Sequence, residues 1–180
     1  MTRCPGFVAL CALLAPAGAC AFDDQWSAGL RGGIAVTDQD YDNDGDVWQA
    51  HVGRSFGERY ALELELTADE YDYGIDFGLK HYAIGINHLT INREPLWDPY
   101  FLIGVGAIRY EAPDGSALSG GTDAMFNLGI GGQWELVLPE RAFLRADLRI
   151  RYDLNDTRQP GQNGFGDALF TIGLVIPLGR

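Results

Sequence analysis

The sequence predicts an all-β fold, an eight-stranded antiparallel up-and-down transmembrane β-barrel, and three observations predict it. Apolar side chains alternate with polar or small ones through eight runs of about ten residues, the period-two repeat of a strand. The connections between the runs are mostly alternately short and long. One face of the runs is rich in glycine and charge, whereas the other is almost free of charge. The 180 residues suffice for one domain, and no linker or composition break suggests a second. A hydrophobic fraction of 47% excludes a disordered acidic tail. A net charge of −12 with one Lys argues against nucleic acid, whose phosphates require a basic surface. After the first two dozen positions no uncharged apolar run reaches the ~18 residues that a membrane-crossing helix needs, so any crossing must be made by strands.

The first residues read as an export address. Met1-Thr2-Arg3 is a short basic start, residues 7–15 are apolar, and Ala19-Cys20-Ala21 is an A-x-A cleavage pattern before Phe22. Residues 1–21 are therefore expected to be a signal peptide, and residues 22–180 the barrel domain. Cys20 as a lipoprotein acceptor is the alternative, disfavoured because Ala17 stands where such sites prefer Leu. Cleavage after Ala21 removes Cys4, Cys11 and Cys20, which leaves no thiol for a disulfide or a metal site. It also removes Arg3, making the chain one unit more negative.

The runs follow in order. In residues 26–36, Trp26, Ala28, Leu30, Ile34 and Val36 oppose Ser27, Gly29, Arg31 and Gly33. In 47–56, Trp48, Ala50, Val52 and Phe56 oppose Gln49, His51, Gly53 and Ser55. In 60–68, Tyr60, Leu62, Leu64 and Leu66 oppose Ala61, Glu63, Glu65 and Thr67. In 78–89, Tyr82, Ile84 and Ile86 oppose His81, Ala83, Gly85 and Asn87. In 100–110, Phe101, Ile103, Val105 and Ala107 oppose Leu102, Gly104, Gly106 and Ile108. In 124–136, Phe126, Leu128, Ile130 and Trp134 oppose Asn127, Gly129, Gly131, Gln133 and Glu135. In 141–152, Leu144, Ala146, Leu148 and Ile150 oppose Arg145, Asp147, Arg149 and Arg151. In 168–178, Phe170, Ile172, Leu174, Ile176 and Leu178 oppose Thr171, Gly173 and Val175. Connections 57–59 and 137–140 are short, and 92–99 holds two prolines. Connections 37–46, 69–76, 111–123 and 153–166 are long and polar.

Alternation alone does not choose which face is inside. A soluble lipocalin-type barrel buries its apolar face, and an outer-membrane barrel exposes it. Nine glycines on the polar face suit a narrow lumen and would only weaken a solvated exterior. The same face carries both signs of charge, Arg31, Glu63, Glu65, Glu135, Arg145, Asp147, Arg149 and Arg151, which can neutralise one another in a lumen. The apolar face carries only Lys80, Arg109, Arg54 and His88 near its ends. There a long side chain reaches water or headgroups; at mid-bilayer it would cost roughly 2 to 4 kcal/mol. Trp48, Tyr152 and Phe170 lie toward one end, and Trp26, Phe56, Tyr60 and Trp134 toward the other, as aromatic girdles do.

The chain resembles the OmpA-like and OmpX-like small outer-membrane barrels of Gram-negative bacteria. The resemblance rests on ALELEL with Glu63 and Glu65, PYFLIGVGAIRY, NLGIGGQWEL, RAFLRADLRIRY and the closing FTIGLVIPLG. It implies a place in the bacterial outer membrane and insertion by the barrel assembly machinery. It also implies contact with outer-membrane lipids and lipopolysaccharide, and no cofactor. Two departures are Leu178-Gly179-Arg180 in place of a terminal aromatic, and the lack of the peptidoglycan-binding domain of full OmpA proteins.

Three chemistries are weighed against plainer readings. The inward charges form either a narrow ion path or a paired structural core, and the core is favoured because eight strands leave an interior just filled by side chains. Asp38, Asp40, Asp42, Asp44 and Asp46 resemble the start of a calcium loop. The twelfth position is His51 in place of a bidentate Glu, which favours a solvated acidic loop and no metal. His51, His81 and His88 are the only histidines, and the first two are expected to point inward. No catalytic residue is assigned. The expected role is therefore non-enzymatic, structural or surface-interacting, through envelope integrity or adhesion by acidic loops bearing Tyr41, Tyr71 and Tyr73. A small-solute or ion channel is the alternative, and a lipid-modifying enzyme a third. The sequence names no loop ligand.

Overall fold

The computed structural model describes residues 25–37, 44–72, 78–94, 96–111, 121–137, 141–154 and 165–179. They form β1 (Trp26–Thr37), β2 (Asp44–Phe56), β3 (Tyr60–Asp72), β4 (Gly78–Ile91), β5 (Asp98–Glu111), β6 (Thr122–Leu136), β7 (Ala142–Asp153) and β8 (Phe165–Leu178). Each strand pairs antiparallel with the next. β8 returns to β1 in an unbroken register from Trp26↔Leu178 to Thr37↔Asp167, closing the sheet into a barrel. Closure leaves no edge with unpaired N–H and C=O groups, which is the condition for a sheet surrounded by hydrocarbon.

The three-residue turn Gly57-Glu58-Arg59 follows the Phe56↔Tyr60 pair and places Gly57 at φ 63°, a backbone region glycine enters without a Cβ penalty. At the same end, Ile91 N–H donates to the Arg59 carbonyl at 2.7 Å and Asn92 N–H to the Pro99 carbonyl at 2.8 Å, tying the two short connections to the sheet.

The distribution of side chains is the reverse of a soluble protein's. Leu30, Ile86, Ile103, Leu128, Ile150 and Leu174 stand exposed on the outer wall, while Arg31, His81, Asn87 and Thr171 are at most 1% exposed inside. The inward glycines make this interior possible. A Cβ on Gly173 would lie 2.5 Å from Arg31 Cα and 2.8 Å from its Cγ. One on Gly129 would lie 2.7 Å from Arg149 Cβ and 2.9 Å from the Leu148 carbonyl oxygen.

Three strands run three or more residues past their expected outer ends. β2 begins at Asp44 and β8 at Phe165, each three residues before the alternation signals it, and β3 continues to Asp72, four residues beyond. The ladder carries on through Val36↔Asp44, Asp46↔Glu70 and Glu70↔Lys80. Beyond the apolar belt the outward side chains are polar as well, so the polarity contrast ends while backbone pairing does not. Asp46 and Asp69 are therefore strand residues, where the sequence reading put them in connections.

Inward and outward glycines are expected to differ in tolerance. Gly129→Val meets backbone atoms that cannot yield, so it should lose most of the heat-modifiable folded band on unboiled electrophoresis. Gly32→Ala faces outward and meets the Trp48 ring at 3.1 Å, and should cost no more than about 1 kcal/mol.

Candidate functional site

The lumen holds a chain of buried ion pairs, and its layout follows from strand number. In a ring of eight strands, β3 and β7 stand opposite one another. β1 lies midway between them on one side and β5 on the other. β3 contributes inward carboxylates at alternate positions, Glu63, Glu65 and Asp69, and β7 contributes Arg145, Asp147, Arg149 and Arg151. Their side chains therefore meet across the axis.

At the level nearest the short connections, Arg145 Nη1 donates to Glu63 Oε1. Arg145 Nε donates to Tyr100 Oη at 2.7 Å, and the guanidinium lies 4.6 Å from the Tyr100 ring centroid. The Tyr100 hydroxyl, from β5, donates in turn to Asp147 Oδ1. His51 Nε2 lies 3.8 Å from Glu63 Oε1.

At mid-height, Arg31 from β1 bridges the two facing strands, donating through Nη2 to Glu65 Oε2 and through Nη1 to Asp147 Oδ2. Arg149 Nη1 donates to the other Glu65 oxygen at 2.6 Å, and its Nη2 lies 3.5 Å from Asp147 Oδ2. Toward the long connections, Arg151 binds Asp69 with both Nη atoms at 2.9 and 2.8 Å. It also donates from Nε and Nη2 to Asp167 Oδ2 at 3.1 and 2.7 Å. His81 Nδ1 lies 3.0 Å from Asp69 Oδ2, with the imidazole between Tyr71 and Tyr110 at centroid distances of 4.8 and 4.7 Å.

Bidentate arginine–carboxylate geometry is the strongest form such pairs take, and a guanidinium keeps its charge at any ordinary pH. The cluster acts as a neutralised polar core: each charge removed from water is met by opposite charges and hydrogen bonds.

Seven of the residues singled out from sequence, Arg31, Glu63, Glu65, Arg145, Asp147, Arg149 and Arg151, come together here. Glu135 does not. Its parity is inward, but it is the penultimate residue of β6, at the mouth; its side chain is 54% exposed and pairs with Arg141 at 2.8 Å. Sequence reasoning missed Asp69, Asp167 and Tyr100 as partners. Continuing the odd-numbered inward parity of β3 and β8 would have found both aspartates. Of the acidic run, Asp38, Asp40 and Asp42 lie outside the described residues. The backbone of Asp44 is in β2, and Asp46 is exposed on the outer wall opposite Glu70. Among the described residues no group of three or more potential metal ligands converges. His51 and His81 face the lumen, and His88 faces outward, stacked on Tyr60 at 5.7 Å.

Removing one member of the cluster strands its partners. Arg145→Met and Arg149→Ala should each cost about 3 to 5 kcal/mol and lower the melting temperature. Adding Glu63→Gln to Arg145→Met should restore about 1 to 2 kcal/mol, because the orphaned charge is then gone. Glu135→Gln should stay within about 0.5 kcal/mol. Urea unfolding of the vesicle-inserted barrel reads all four.

The model of the outer membrane protein beta-barrel domain family matches residues 7–176. No curated protein matches the chain. Among solved structures, the chain is similar to Neisserial surface protein A, with 15% identity, coverage of 85% of this chain and 96% of that one, and a TM-score of 0.65. It is also similar to the outer membrane enzyme PagL, at 11% identity, 83% and 99% coverage and a TM-score of 0.56. A major outer membrane protein of Thermus thermophilus gives 13% identity, 87% and 100% coverage and a TM-score of 0.56. At these identities the likeness is one of fold. With the family match over nearly the whole chain and the closed inside-out barrel, the chain belongs to the outer membrane protein beta-barrel domain family, as a barrel of the bacterial outer membrane.

Proposed function

We propose that this protein is a non-enzymatic envelope barrel whose sealed lumen makes it a rigid mount for its outer loops, with a role in envelope integrity or surface adhesion. The observation that carries this reading is Arg31, which reaches from β1 to Glu65 on β3 and Asp147 on β7 and so crosses the lumen at mid-height. With Arg145 and Tyr100 on one side of that level and Arg151 on the other, a solute would have to break buried pairs at successive heights. Residues 1–21 serve as the cleaved export signal in this reading. The barrel assembly machinery inserts the chain, and lipopolysaccharide surrounds its outer half. No cofactor is required. The acidic outer connections, including Asp38, Asp40 and Asp42, act as a solvated surface for a partner still to be named.

A narrow channel is the second reading, favoured by buried polar atoms with no protein partner among the described residues. Glu63 Oε2, Asn87 Nδ2 and Arg149 Nε are such atoms, and each suits water within the lumen. The surrounding fold also hosts an enzyme, PagL, so lipid A and phospholipid products belong in the same test series.

In planar bilayers the purified barrel is expected to give no sustained conductance step, and Arg31→Ala with Glu65→Ala and Asp147→Ala is expected to open one. Reproducible openings of the unaltered protein would establish the channel instead. A deletion strain should show increased detergent sensitivity or reduced surface adhesion, and no new lipid product should depend on the protein.

A further inference from the structure

All strand pairings but one join neighbours in sequence, and a connection limits how far each can slip. The pairing of β1 with β8 has no such tether, yet it holds one register, from Trp26↔Leu178 to Thr37↔Asp167. A one-residue slip would turn every side chain of a strand to the wrong face. A two-residue slip keeps the faces, and the outer wall does not resist it. The outward residues of β1 are Trp26, Ala28, Leu30, Gly32, Ile34 and Val36, and those of β8 include Phe170, Ile172, Leu174, Ile176 and Leu178. Leu30, which faces Leu174, would meet Ile172 or Ile176 instead, an apolar side chain in either case.

The lumen side does discriminate. In the observed register the central inward pairs each have a small member: Gly29↔Val175, Arg31↔Gly173, Gly33↔Thr171 and Ala35↔Leu169. Among the inward positions of β8 within the described residues, only Gly173 is glycine, and it stands opposite Arg31. A Cβ at Gly173 would run into the Leu30 carbonyl oxygen and lie 2.5 Å from Arg31 Cα. Slipped one way, Arg31 would face Thr171, and Gly29 would face Gly173. Slipped the other way, Arg31 would face Val175, and Gly33 would face Gly173. Either slip sets a β-branched side chain against the stem of Arg31 and spends two glycines on each other. A clash and a void then stand where the observed register has neither.

Two hydrogen bonds read the same register. Arg31 reaches over β8 to Asp147 on β7, and Thr171 Oγ1 reaches over β1 to donate to Gln49 Oε1 on β2 at 3.2 Å. They cross the seam in opposite directions, and all four residues are at most 2% exposed. A two-residue slip moves one side of the seam by about 7 Å, too far for either bond to be kept as it stands.

We infer that the Gly173–Arg31 pair is the register pin of barrel closure, with Thr171–Gln49 as its second clasp. The lipid face accepts several closures alike, and this pair selects one of them. The stagger accumulated around a closed ring sets strand tilt and diameter, so the pin also sets the width of lumen that the ion pairs span.

Disulfide formation across the seam reads the register, because Cβ atoms of directly opposite residues lie about 4.5 to 5.5 Å apart and diagonal ones about 7 to 8 Å. The full chain, with Cys4→Ser, Cys11→Ser and Cys20→Ser, is inserted into vesicles carrying Leu30→Cys together with Leu174→Cys, Ile172→Cys or Ile176→Cys. In the otherwise unaltered barrel the Leu30–Leu174 pair should oxidise at least about tenfold faster than either other pair. Thr171→Gly with Gly173→Thr moves the glycine along β8 by one inward position and should make Leu30–Ile172 the fastest pair. Arg31→Met with Glu65→Gln removes the pin while Arg145–Glu63 and Arg149–Asp147 stay matched, and should narrow the lead of Leu30–Leu174 to about threefold. Should the glycine swap give no folded electrophoretic band, the Arg31→Met, Glu65→Gln barrel decides by itself. The inference is overturned if that barrel keeps the full lead, if a folded swap variant still favours Leu174, or if all three pairs oxidise alike in the unaltered barrel.

Discussion

A sheet immersed in hydrocarbon has nowhere to leave a backbone N–H or C=O, and the rest of this structure follows from that constraint. The β1–β8 ladder is where it is met, because those strands are farthest apart in sequence and would otherwise be two open edges. Closing the ring at eight strands fixes a narrow interior, and a narrow interior forces glycine or small residues wherever a long side chain must lie across it. Gly173 behind Arg31 and Gly131 beside Tyr100 are instances, each glycine giving a neighbour's side chain the space its own Cβ would occupy.

The same closure inverts the usual placement of charge. With the outer wall committed to lipid, Arg31, Arg145, Arg149 and Arg151 have only the lumen, and they are stabilised there by carboxylates delivered from other strands. β3 and β7 oppose each other, so alternate acidic positions on one meet alternate basic positions on the other across the axis. Arg31 ties both together from the side. A cluster of this kind has little tolerance for losing one member, and Arg31 spans the lumen at mid-height within it. In the proposed role, rigidity of the mount and closure of the pore are two consequences of one set of pairs.

Much of the site was legible before any coordinates. ALELEL and RADLRIR announce inward acids and inward arginines on two runs, and parity alone assigns Glu63, Glu65, Arg145, Asp147, Arg149 and Arg151 to one face. Glu135 obeys the same parity yet sits in water, because parity reports a direction and says nothing of how deep along the strand a residue lies. Asp69 and Asp167 failed for the converse reason. Outside the hydrocarbon both faces of a strand are polar, so the alternation that marks strands disappears and their ends read as loop. Trp97 carried no signal at all: its place over Gly132 depends on a connection folding back against a strand distant in sequence.

The sequence by itself determined the strand number, the inside-out polarity, the turn at Gly57 and most of the charges that must be hidden. All of these are local or periodic properties, written within a few residues of where they act. Only the tertiary structure decided who pairs with whom: Arg31 with Glu65 and Asp147, Arg145 with Glu63, Arg151 with Asp69 and Asp167. Those choices depend on the register and shear of a closed ring, which relate residues as far apart as Trp26 and Leu178 and have no counterpart in any local pattern.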